Sequence, residues 1–144
     1  MTEIYVKSQA YDGQAFCVVG VNEDKKSVRL HDISFMGDIR MRGQSIPITG
    51  WDAHYQMMLY GMIWGVLEAP KDDELDIYIH SGVVADWINN GTEAPAIYGV
   101  LLGKLRQMLI GRKVMVWQVD FGQNKVMNQM LDRLLEIERL KQYA

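Results

Sequence analysis

Residues 52–68, DAHYQMMLYGMIWGVLE, form a helix-length run with almost no polar face. Tyr55, Met57, Met58, Leu59, Tyr60, Met62, Ile63, Trp64, Val66 and Leu67 point apolar groups in every direction, and Trp51 precedes them. A helix that is apolar all round must be buried all round. In a chain of 144 residues the simplest burial is between a sheet and further helices. Gly61 and Gly65 stand one turn apart; they cost helix propensity but allow a neighbouring backbone to come close. Residues Thr49 to Asp52 supply candidate N-caps, and Pro70 with the polar KDDE run ends the helix. No apolar run in the sequence reaches the length that spans a bilayer.

The segments before the helix read as strands. EIYVKSQA and QAFCVVGV are β-rich, with the turn signal Asp12-Gly13 between them. The polar NEDKK leads into a third strand, SVRLHDISF, and the three predict an antiparallel meander. MGDIRMRGQSIPITG is expected to be a polar loop, with Met36 and Met41 as exposed contact points. After the helix come a strand LDIYIH, a short helix from about Val83, a loop NNGTEAP, and a helix from Ala96 to Leu109. GRKVMVWQV reads as a last strand, apolar on both faces as a central parallel strand would be. Lys125 to Tyr143 is a long amphipathic helix with the stripe Met127, Met130, Leu131, Leu134, Ile137 and Leu140.

This is the length of one domain, 1–144, with no linker or repeat inside it. A net charge of −3 argues against a polyanion-coating role. The single Cys17 excludes an internal disulfide and fits a reducing, cytoplasmic setting; in AFCVVGV it reads as a buried, inert thiol. There is no phosphate loop, no Gly-x-Gly-x-x-Gly and no Cys-x-x-Cys. No cofactor is expected.

Three stretches, in order, resemble the ribonuclease H-like superfamily. AHYQMMLYGM (53–62) is similar to its first helix, often Ala-Glu-Tyr with Gly seven residues after the Glu. IHSGVVADWINNG (79–91) is similar to its fourth strand and second helix, strand-Asp-Ser-helix-Asn-Gly. GRKVMVWQVDFGQNKVMNQML (111–131) resembles its fifth strand, loop and final-helix start. The resemblance implies an α/β fold with a five-stranded mixed sheet, three antiparallel strands then two parallel, flanked by helices.

It also implies where chemistry would sit. Cleaving members of the superfamily hold two Mg²⁺ ions about 4 Å apart with several carboxylates, since Mg²⁺ takes oxygen ligands in near-octahedral geometry. The Asp of the first strand falls here at Lys7, or with a one-residue slip at Ser8. The Glu of the first helix falls at His54, the Asp after the fourth strand at His80 beside Ser81, and the Asp opening the last helix at Asn128. None is a carboxylate, so this set reads as a vestigial pocket without catalytic residues and without metal. Imidazole suits zinc or iron, which leaves open a remodelled site of His54, His80 and Asp120; local hydrogen bonding of the two histidines is the simpler reading.

The expected function is therefore a pseudo-nuclease that binds another protein or serves as a scaffold. The alternative is a non-cleaving binder of structured RNA or RNA–DNA hybrid, using Lys104, Arg106, Arg112 and Lys113 in KLRQMLIGRK. Such charges also suit a solvated helix end, where they complement the dipole. A hydrolase or nuclease with a remodelled metal site stands third.

Overall fold

The computed structural model describes residues 1–11, 14–23, 27–36, 38–41, 44–47 and 52–119. The amphipathic segment expected over 125–143 lies outside these residues, as do the Asp12-Gly13 turn, Asp120 and Asn128.

Strand β1 (Thr2–Tyr11) pairs antiparallel with β2 (Gln14–Glu23), which pairs antiparallel with β3 (Ser27–Met36). A separate hairpin follows, β4 (Asp38–Met41) with β5 (Gln44–Pro47). This corrects the polar loop expected there. Polarity concealed a short alternation, Asp38-Ile39-Arg40-Met41, joined through two residues to Gln44-Ser45-Ile46-Pro47, a spacing that suits a hairpin. Helix α1 (Asp52–Glu68) leads to β6 (Leu75–Ile79), helix α2 (Gly82–Asn89), a 3₁₀ turn (Ala96–Tyr98), helix α3 (Gly99–Leu109) and β7 (Val114–Gln118). Among the described residues the main sheet has five strands in the order β3-β2-β1-β6-β7, with β1–β6 and β6–β7 parallel.

Alternation along the strands divides the sheet into two faces. The register aligns Ile4, Ile77 and Val116 on the helix side, all buried. Helix α1 lies on that side, and its two glycines show how closely. A Cβ on Gly61 would come within 2.6 Å of Val6 Cγ1 and 3.2 Å of Cys17 Sγ, while one on Gly65 would run into Ile4 Cγ2. Met57, Met58, Leu59, Met62, Ile63 and Val66 complete this layer of the core, so most of the apolar surface of α1 is taken up by the sheet and its helix neighbours, and among its described aliphatic residues Leu67 alone stays exposed, at 61%.

The opposite face carries Tyr5, Tyr78 and Trp117 at successive register positions. The Tyr5 and Tyr78 rings stack at 4.8 Å and 15°. Beside them the Trp117 indole N–H donates to Asp76 Oδ1 at 3.1 Å. Met115 and Trp117 are 43% and 47% exposed. Strand β7 is thus an outer strand with one buried face, not the central strand its sequence suggested. Large apolar residues stand on both of its faces, but only Val116 of the face toward the helices is sealed, at 2% exposure.

Two polar devices fix α2, one against this outer strand and one against α3. The Asn89 carboxamide mimics a neighbouring backbone: its Nδ2 donates to Val116 O at 2.6 Å and its Oδ1 accepts from Val116 N at 2.9 Å. Arg106 of α3 donates to Trp87 O at 2.9 Å. Between them the Trp87 ring packs on Tyr98 at 4.9 Å and meets the edge of Tyr55 at 6.2 Å, tying α2 to α1 and the 3₁₀ turn.

Candidate functional site

Strand β6 runs parallel to the first half of β1 and ends beside its middle, where the chain leaves β6 at Ile79 for His80. Two residues meet there. The Ser8 backbone N–H donates to His80 Nε2 at 3.4 Å, and the Ser8 hydroxyl lies 3.5 Å from the same nitrogen. Ser8 is buried on the helix side of β1, two residues on from Val6, whereas His80 is partly exposed.

Strand alternation puts the two sequence candidates on β1 on opposite faces of the sheet. Ser8 shares the face of Ile4 and Val6, and it is Ser8 that touches His80. Lys7 falls one residue out of phase, on the side of Tyr5, so its ammonium belongs to the opposite face. Opposite Ser8 in the β1–β2 register stands Cys17, fully buried, and burial pushes its thiol well above the usual range. That thiol is no nucleophile.

Ser81 has a local task. It is the N-cap of α2, its Oγ accepting from Val84 N–H at 3.3 Å. The Gln118 carboxamide sits over the helix start: a Cβ at 82 would lie 2.7 Å from Gln118 Oε1, the far end of a flexible side chain. Gln118 was not anticipated from sequence, where a glutamine at a strand end carries no signal of its own. His54 opens α1, but its side chain, like all of Asn128, lies outside the described residues.

The donors described at this place are thus a hydroxyl and an imidazole, not the carboxylate oxygens that Mg²⁺ takes. Among the described residues no three His, Cys, Asp or Glu side chains converge to hold a metal ion.

The basic residues of KLRQMLIGRK do not form one free patch. Arg112 donates to Pro70 O and Asp73 O, each at 2.9 Å, and so closes the turn before β6. Arg106 holds Trp87 O. Lys113 faces Glu74 at 3.5 Å across exposed surface, while Lys104 is half-buried on α3. Two of the four cations are therefore engaged by backbone carbonyls, a use that charge counting along a helix cannot reveal.

Comparison with solved structures settles the architecture. RNase H1 from the halophilic archaeon Halobacterium salinarum NRC-1 superposes with a TM-score of 0.67 at 11% identity, over 92% of each chain. The fold is ribonuclease H-like. The N-terminal RNase H domain of a Mycobacterium tuberculosis protein, solved as a fusion with maltose-binding protein, gives 0.66 at 13% identity over 92% of this chain and 94% of that one. LC11-RNase H1 in complex with an RNA/DNA hybrid gives 0.63 at 14% identity over 93% of each. No protein-family model and no curated protein matches the sequence. Among the described residues no helix is long and apolar enough to cross a membrane.

Proposed function

We propose that this chain is a ribonuclease H-like module that does not cleave nucleic acid and acts by binding another protein. The observation that carries the reading is the residue after β6. By the resemblance of the sequence, His80 falls where cleaving members of the superfamily carry a metal-binding Asp, and its Nε2 accepts from Ser8 N–H at 3.4 Å. The first-strand Asp of those members falls at Lys7 or, with a one-residue slip, at Ser8, whose hydroxyl lies 3.5 Å from His80 Nε2; neither is a carboxylate. A pair of divalent cations needs negative charge to offset its desolvation and mutual repulsion, and a serine with an imidazole supplies none.

A protein partner is favoured over a duplex by the state of the basic residues. A nucleic-acid groove needs cations free to neutralise phosphates, and Arg106 and Arg112 hold backbone carbonyls instead. The half-exposed Met115 and Trp117 offer the kind of side chains enriched where proteins meet.

The test is direct. Purified protein is incubated with RNA–DNA hybrid, double-stranded RNA and DNA in Mg²⁺ or Mn²⁺, and no cleavage is expected. Metal-dependent cleavage that disappears in His80→Ala overturns the reading. Tight hybrid binding without cleavage, falling steeply with salt and weakened by Lys104→Ala with Lys113→Ala, replaces the protein partner with a nucleic-acid one.

A further inference from the structure

Asn89, Asn90 and Gly91 close helix α2. Asn90 is its C-cap, and Gly91 follows at φ 63°, the left-handed conformation that suits glycine. Asn90 is also the one asparagine of the chain that precedes a glycine; the others, at 22, 89, 124 and 128, precede bulkier residues. A glycine on the C-terminal side leaves its backbone nitrogen unshielded, and that nitrogen is the nucleophile in spontaneous loss of an asparagine amide. Both residues are exposed, and a Cβ at Gly91 would meet nothing within 4 Å.

We infer that Asn90 is a site of spontaneous amide loss, and that the acid formed there unlatches Asn89 from the sheet edge at Val116. Gly91 N attacks Asn90 Cγ, an N–C bond forms, the Cγ–Nδ2 bond breaks, and ammonia departs with the amide proton. Water then opens the cyclic imide at either carbonyl, leaving aspartate or isoaspartate at 90. In the closed cap the reaction is held back. Asn90 Nδ2 donates to Asp86 Oδ1 at 2.9 Å and its backbone N–H to Asp86 O at 3.0 Å, which turns the carboxamide toward the helix and away from Gly91. The last turn of α2 must open before the nitrogen can reach the amide carbon.

Once formed, the product favours the open form. An aspartate at 90 faces the Asp86 carboxylate one turn away, at the negative end of the helix dipole. Isoaspartate adds a backbone atom inside the cap itself. Asn89 is the adjacent residue, and its carboxamide holds both polar groups of Val116 on the outer strand. Loss of the cap frees those groups, and a strand edge with unpaired N–H and C=O invites further strand pairing.

The folded protein is aged at mildly alkaline pH and mapped by peptide mass spectrometry, with exchange of the Val116 amide followed in Asn90→Asp. Asn90 is expected to convert faster than every other asparagine, yet more slowly than in a denatured sample. The Val116 amide of Asn90→Asp is expected to exchange about 1.5- to 2-fold faster, the size of an exposed like-charge pair one turn apart. Adding Asp86→Asn restores the wild-type rate. Conversion at Asn90 no faster than at the other asparagines, or unchanged Val116 exchange in Asn90→Asp, overturns the inference.

Discussion

The two faces of strands β1, β6 and β7 carry the same register but different chemistry. On the helix side, Ile4, Ile77 and Val116 are sealed beneath α1 and its neighbours. One residue along, on the other side, Tyr5, Tyr78 and Trp117 form a row with polar handles: the Tyr5 hydroxyl donates to Glu3 Oε2 at 2.6 Å, and Trp117 to Asp76. The central part of the first face is specified by shape, because Ile4, Val6, Ile77 and Val116 pack there without polar handles of their own. The second is specified by hydrogen bonds and ring stacking. Stability should therefore reside in the first face and recognition in the second.

The contrast breaks most sharply in a pair of single changes on neighbouring strands. Ile77→Ala removes a fully buried side chain from the sealed face and is expected to cost about 2–5 kcal/mol in chemical denaturation. Trp117→Ala removes a larger side chain that is half in water, and is expected to cost roughly 1 kcal/mol or less, chiefly for the lost contact with Asp76. Equal losses would show that the two faces are not distinct in energy. Gly65→Ala tests how tightly the sealed face is closed. Alanine gains up to about 1 kcal/mol in helix propensity, but the added carbon collides with Ile4, and overpacking typically costs about 1–3 kcal/mol. A net loss is expected, smaller in an Ile4→Ala background because the two changes share one contact.

The smallest effect belongs to the aromatic face and is read through pH. Burial and the neighbouring Glu3 raise the Tyr5 hydroxyl well above the ordinary tyrosine range, and burial with Asp76 raises Tyr78. Unfolded tyrosines ionise near pH ~10, while these two stay protonated in the fold. Their contribution is thus complete below about pH 10 and is lost as the pH climbs beyond it. Tyr78→Phe and Tyr5→Phe should each flatten the alkaline limb of a stability–pH curve, Tyr5→Phe the more. An unchanged limb in Tyr5→Phe removes the hydroxyl from the account.

The sealed face was the legible one. An all-apolar α1 with glycines one turn apart announces a helix pressed on a sheet, and Gly61 and Gly65 do meet Val6, Cys17 and Ile4. The order of strands and helices followed from periodicity and from resemblance together. The hairpin of β4 and β5 was missed because four-residue strands offer too few alternations to stand out from a polar loop. The place of β7 was misjudged because apolar residues on both faces mark a strand as amphiphilic to partners as readily as central. At the candidate site, His80 was visible as a departure from a motif. Which of Ser8 and Lys7 faces the helices needed the strand's phase, which a one-residue slip inverts. The tasks of Arg106 and Arg112 were hidden because their partners are carbonyls, which no residue letter records.

The uniform greasiness of α1 also bears on how the chain is made. On a ribosome, this segment appears only after the meander of β1, β2 and β3, which is the platform for one of its sides. Its other covers, α2 and α3, are still unsynthesised at that moment, and at about 5–20 residues per second they follow within seconds. During that interval the nascent chain holds a half-dressed apolar rod, the kind of surface that chaperones grasp. The two glycines leave the rod a side on which no side chain of its own stands between it and that platform.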